Sequence, residues 1–179
     1  MNAPGTNPNW QKLVGYEFSG KMSFPTQFDS VRMFHILAGL PVSDFTTDTN
    51  TPEERNTRIL RRITLIQEEV NSELIPNLDE LRFNWTTANL AKVLHELVDV
   101  SFVILGTAVE LGLPYDSAFA VVNEANLRKV KDEVVRRDDG KILKPEGWEP
   151  ANLVAFLEFV LAQRVVPAPA ASDSGNQEG

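Results

Sequence analysis

Glu96 and Asp99 stand three residues apart in the most apolar stretch of the chain, among Val93, Leu94, Leu97, Val98, Val100, Phe102, Val103 and Ile104. On a helix, a spacing of three puts both carboxylates on one face. A segment this apolar almost all round is expected to be buried on most sides. Burying a carboxylate costs several kcal/mol in order-of-magnitude terms unless a cation or a base compensates it. Upstream, Glu68, Glu69 and Glu73 offer more acid. On a wheel of ~100° per residue, Glu69 and Glu73 flank the Ile66–Val70 face while Glu68 points away from its centre. If the two segments pack antiparallel, Glu69, Glu73, Glu96 and Asp99 form a four-carboxylate cluster suited to a hard divalent cation such as Mg²⁺. The competing reading is that Glu96 and Asp99 are neutralised by Arg61, Arg62 or Lys92 and that the upstream acids form a solvated face. His95-Glu96 suggests the HExxH motif of zinc proteases, but the fifth position is Asp99, and the one other histidine, His35, is far off in sequence. Both histidines are read as packing or hydrogen-bonding residues.

The elements that must position these acids are all helical. Phe28, Val31, Phe34, Leu37 and Ala38 recur at helical spacing, with Gly39 and Pro41 as the stop, which predicts a helix over 26–40. Thr51-Pro52-Glu53-Glu54 reads as an N-cap, a proline at the first helical position and acids in the first turn. The helix it opens carries Ile59, Ile63, Ile66, Val70 and Leu74 on one stripe and is expected to end at Pro76-Asn77. A third helix runs from after Trp85-Thr86-Thr87 to about Leu111, stopped by Gly112 and Pro114. Asp116 is expected to cap a fourth, Asp138-Asp139-Gly140 to form a turn before a short extended piece, and a last helix to span 151–163. The fold class is therefore all-α, a four- to five-helix bundle. Residues 1–24 read as a flexible arm, 25–165 as the helical domain and 166–179 as a disordered tail.

Composition narrows the function classes. The net charge is -8 without a long basic run, so binding to nucleic acid polymers is not expected. Cysteine is absent, which removes disulfides, thiol catalysis and thiolate metal sites. Val93–Leu113 is interrupted by four ionisable residues, so no membrane span is expected, and Met1–Trp10 lacks the apolar core of a signal peptide. The cytoplasm is the expected compartment. Basic residues concentrate after the fourth helix: Arg128, Lys129, Lys131, Arg136, Arg137, Lys141 and Lys144. A phosphate tail would find partners there. Trp85 and Trp148 lie where they could close over a base, but packing at a bundle end is the commoner role.

Glu68-Glu69, then Glu96-Leu97-Val98-Asp99, then Asn126-Leu127-Arg128-Lys129 and Asp139-Gly140-Lys141, resemble in that order the EExxE, ExxD, NxxK and DGK motifs of the MazG-like all-α nucleotide pyrophosphohydrolases. The resemblance spans about Phe28 to Pro150. It implies Mg²⁺-dependent cleavage (with Mn²⁺ as a substitute) of a nucleoside triphosphate or close relative into monophosphate and pyrophosphate. By position it makes Glu69, Glu96 and Asp99 metal ligands and Glu68 an outer carboxylate or general base. Asn126 and Lys129 approach the nucleotide's phosphates, and Lys141 and Lys144 are grouped with them as phosphate contacts. One position departs from the pattern. The third acid of EExxE falls on Ser72, so Glu73 is expected to replace it. Family members act on deoxynucleoside triphosphates, modified nucleotides or phosphoribosyl-ATP. Nucleotide-pool house-cleaning is the first reading and phosphoribosyl-ATP the second. The rival from another class is a non-enzymatic helical oligomerisation module, its acids structural. Either way a homodimer or larger assembly is expected.

Overall fold

The computed structural model describes residues 26–165, except residues 48, 132 and 133. The arm over 1–24 and the tail over 166–179 lie outside the described residues. Helix α1 is Gln27–Leu37, closed at its N-terminus by a reciprocal capping box. The Asp29 N–H donates to Thr26 Oγ1 at 3.1 Å, and the Thr26 N–H donates to Asp29 Oδ2 at 3.2 Å. Helix α2 begins with the same device, between Thr51 and Glu54, and with Pro52 at its first position. It comprises an α-helical stretch Pro52–Gln67, a π-helical stretch Glu68–Leu74 and a second α-helical stretch Ile75–Phe83. Helix α3 is Thr87–Leu111, opened by the Thr86 side chain on the Asn89 N–H and closed by Gly112 in the left-handed region at φ 69°. A Cβ at Gly112 would stand 2.4 Å from the Phe45 backbone nitrogen, so both conformation and space demand glycine. Helix α4 is Tyr115–Leu127, followed by the 3₁₀ turn Arg128–Val130, and α5 is Leu153–Val165. The class is all-α, as expected. The turn after residue 137 also forms, with an isolated antiparallel bridge pairing Arg136 and Ile142.

Two boundaries differ from expectation. Pro76 does not end α2. The Ile75 N–H bonds to the Val70 carbonyl five residues back, and this wide turn removes the carbonyl that a proline ring would strike in an α-helix. Asp116 does not cap α4. Pro114 holds the cap position, and the Asp116 carboxylate instead accepts from Thr26 Oγ1 at 2.7 Å, tying α4 to the start of α1.

Helices α2 and α3 run antiparallel, since Arg58 reaches Glu110, Arg62 reaches Val103 and Glu110, and Glu69 approaches Glu96 and Asp99. The side of α2 turned to α3 is therefore Arg58, Arg62 and Glu69. The isoleucine stripe expected to be buried leaves Ile59 and Ile63 exposed. At the far end of α3, Val31, Leu105 and Val109 form the apolar core, with Phe28, Val42, Phe102 and Tyr115 packed on it. Gly106 lets His35 and Arg62 approach: a Cβ there would lie 2.8 Å from His35 Nε2 and 3.1 Å from an Arg62 guanidinium nitrogen. His35 is buried, its Nδ1 3.1 Å from the Pro41 carbonyl oxygen, consistent with a packing role. No single helix among the described residues is long and apolar enough to cross a membrane.

Candidate metal centre

A buried ion network sits at one end of the α2–α3 pair. Glu110, 1% exposed, accepts from Arg61 at 2.6 Å and from Arg62 at 3.3 Å. Arg62 also donates to Thr107 Oγ1 and to the Val103 carbonyl. Arg58 donates to the Glu110 carbonyl oxygen, Ser43 Oγ and Asn50 Oδ1. Burial pulls the Arg62 guanidinium below its ordinary value, while the Glu110 charge opposes that shift. The two arginines that the competing reading assigned to Glu96 and Asp99 are thus committed to Glu110.

About two turns further along α2, and about three to four turns back along α3, carboxylate oxygens of Glu69, Glu96 and Asp99 lie within 4.8 Å of one another. Glu69 comes from the π-helical stretch of α2, and the other two from α3. Glu96 is buried; Glu69 and Asp99 are half-buried. Among the described residues no lysine or arginine pairs with any of the three, and the one basic neighbour is His95, whose Nε2 lies 3.2 Å from Asp99 Oδ2. Desolvation, then the negative charges of Asp99, Glu68, Glu96 and Glu73, hold the Glu69 carboxyl above its usual range. Three convergent carboxylates with no strong base between them form a donor set that fits a hard divalent cation.

The raised Glu69 value has a testable sign. The folded chain favours the protonated carboxyl, so the stabilising contribution is complete below the unfolded carboxylate value of about 4.3 and is lost as pH rises through the higher folded value. Glu69→Gln is therefore expected to melt above wild type at pH 7 in EDTA, with the gap closing toward about pH 4. Thermal unfolding at the two pH values reads this directly, and a variant that melts below wild type at pH 7 would contradict it.

The other candidates are placed as follows. Glu68 and Glu73 are exposed and contribute no oxygen to the triad, although their charges act on Glu69. The 100° wheel that set Glu73 beside the core does not hold through a π-helical stretch. Asn126, Lys129 and Lys144 come together: Lys129 Nζ donates to Asn126 Oδ1 at 2.6 Å, and both lysines stand over the Trp148 ring. Lys141 is in the turn, where its backbone N–H donates to Asp139 Oδ1 at 3.1 Å. Hydrogen bonds from Arg137 and from that N–H hold Asp139 below the usual carboxylate range. Trp85 is exposed. The roles of Glu110 and Trp148 were missed from sequence. Glu110 carried a signal, as a lone acid in an apolar run, but its partners lie 48 and 49 residues away.

Residues 31–126 match the family described as phosphoribosyl-ATP pyrophosphohydrolase, which lies within the MazG-like all-α superfamily. The match covers both acid-bearing helices and ends at Asn126. No curated protein matches the chain.

Proposed function

Since this chain belongs to the phosphoribosyl-ATP pyrophosphohydrolase family, whose members cleave phosphoanhydride bonds, we propose that it hydrolyses a nucleoside or deoxynucleoside triphosphate to the monophosphate and pyrophosphate. The observation that carries this reading is the convergence of Glu69, Glu96 and Asp99 with no arginine or lysine among the described residues to neutralise them. These three would hold a divalent cation, Mg²⁺ by the hardness of an all-carboxylate set and Mn²⁺ as its substitute. When bound, the cation neutralises charge developing on the phosphates and lowers the pKa of an attacking water.

Glu68, exposed and adjacent to Glu69, is the base that accepts the water's proton as the water attacks the first phosphorus and the bond to the second phosphate breaks. Glu73 is the fourth carboxylate. Its support is the π-helical stretch itself, because an i→i+5 bond spans one residue more than an α-helical bond and so accommodates one extra residue before the third acid. One residue of extra turn thus compensates the one-residue displacement of the acid from Ser72. Lys129, Lys144 and Asn126, with Lys141 in the neighbouring turn, hold the leaving phosphates by charge-assisted hydrogen bonds. The role is clearance of unwanted nucleotides from the cytoplasmic pool. Phosphoribosyl-ATP is the second reading, favoured by the description of the matching family.

A second copy of the chain covers one face of α3. Leu90, Leu94, Leu97, Ser101 and Ile104 recur in steps of four, three, four and three, the spacing of a helix–helix seam. All five are exposed, Leu94 at 63%, on a helix expected to be buried nearly all round. Ile59 and Ile63 extend the apolar surface on α2. Sedimentation of wild type reads the assembly, and a monomer at micromolar concentration would refute it.

The test of function is pyrophosphate release from each common NTP and dNTP and from phosphoribosyl-ATP, with Mg²⁺ and with EDTA. Magnesium-dependent release from triphosphates is expected. Release from phosphoribosyl-ATP alone would select the second reading, and no release from any of them would leave the helical-module reading in place.

A further inference from the structure

Lys129 Nζ and Lys144 Nζ each lie 4.6 Å from the centre of the Trp148 ring, so their separation is at most twice that distance. The ring is pinned, because its Nε1–H donates to the Ala125 carbonyl at 2.7 Å, and Ala125 is buried in the last turn of α4. Lys129 is tethered a second time, to Asn126 Oδ1. A lysine only donates, so it must face the Asn126 oxygen, which leaves the amide N–H groups of Asn126 available to an anion. Among the described residues neither lysine has a carboxylate partner, whereas the nearby Arg128 and Arg137 are neutralised by Glu124 and Asp139. In a chain of net charge -8, two ammoniums on one indole concentrate positive charge locally.

Two flexible, strongly hydrated lysines would ordinarily separate under their mutual repulsion. The negative π-face of an indole opposes that and limits where each ammonium can go. We propose that Trp148 is the positioning residue of a product subsite in which Lys129 and Lys144, with the Asn126 amide, bind inorganic pyrophosphate. This rests on the pyrophosphohydrolase reading for its biological sense, but the binding itself needs neither turnover nor metal.

The experiment follows Trp148 emission in a chain carrying Trp10→Phe and Trp85→Phe, titrated with pyrophosphate in low-salt, metal-free buffer. A saturable change is expected, weakened by about tenfold in Lys144→Gln. In steady state, Trp148→Leu is expected to raise KM and the pyrophosphate inhibition constant by about tenfold each while kcat stays within about twofold, and Trp148→Phe, which keeps a ring, to recover most of the affinity. Emission indifferent to millimolar pyrophosphate, or an affinity unchanged by Lys144→Gln, would overturn the subsite. Should Trp148→Leu misfold, the titration of the unaltered ring still decides. Hydrolysis by wild type, with Glu96→Gln as the inactive control, separates the two readings. Pyrophosphate binding by a wild-type chain that hydrolyses no nucleotide would keep the subsite and reject the enzyme, and wild-type hydrolysis without pyrophosphate binding would do the reverse.

Discussion

Glu96→Gln is expected to lower magnesium-dependent pyrophosphate release by at least about a hundredfold, the loss typical when one electrostatic element of a preorganised site is removed. Glutamine keeps the size of the side chain and removes only its charge. Glu96 is buried within the triad, so its charge has little water to stabilise it, and a bound cation would supply the compensation. Without metal the variant relieves repulsion on Glu69 and should melt no lower than wild type, so a fall in rate would not reflect unfolding. Two readouts are required together. Release is measured under saturating substrate and Mg²⁺, and the rise in melting temperature on adding Mg²⁺ should be present in wild type and lost in the variant. Full activity in Glu96→Gln would remove the metal-centre assignment.

The largest expected loss of stability comes from outside the metal centre. Glu110→Ala leaves Arg62, itself only 6% exposed, as a buried charge without its carboxylate. Breaking a buried pair from one side costs about 3–5 kcal/mol. For a domain of this size that lowers the melting temperature by roughly 10 °C. The partners are not equivalent. Arg61 keeps 46% of its side chain in water, so Arg61→Ala should cost no more than about 1 kcal/mol. Replacing both buried members, Glu110→Leu with Arg62→Met, should recover much of the loss, since no uncompensated charge remains. Thermal unfolding of the three variants separates these outcomes. If Glu110→Ala and Arg61→Ala cost the same, burial is not what makes the network matter. Because the network holds α2 in register on α3, and that register brings Glu69 to Glu96 and Asp99, Glu110→Ala is also expected to weaken Mg²⁺ binding.

The helices, most of their ends and the sharing of one face by Glu96 and Asp99 were determined by the sequence alone, because each is a local property. Thr51 with Glu54, and Gly112 at the close of α3, act on backbone groups within a few residues of themselves. The three-residue spacing of Glu96 and Asp99 places them on one face whatever packs there. Tertiary structure decided what is settled between elements. Arg61 and Arg62 had three acids within plausible reach, and the antiparallel register of α2 on α3 gave them Glu110, which left the carboxylate triad without a strong base among the described residues. That register also turned Arg58, Arg62 and Glu69 toward α3 and left Ile59 and Ile63 outward, which no wheel drawn on α2 alone could show. The π-helical stretch that precedes Pro76 and the gathering of Lys129 and Lys144 on Trp148 belong to the same class. A spacing fixes which side chains share a face; only the packed neighbour fixes which face is turned inward, and so which charges meet.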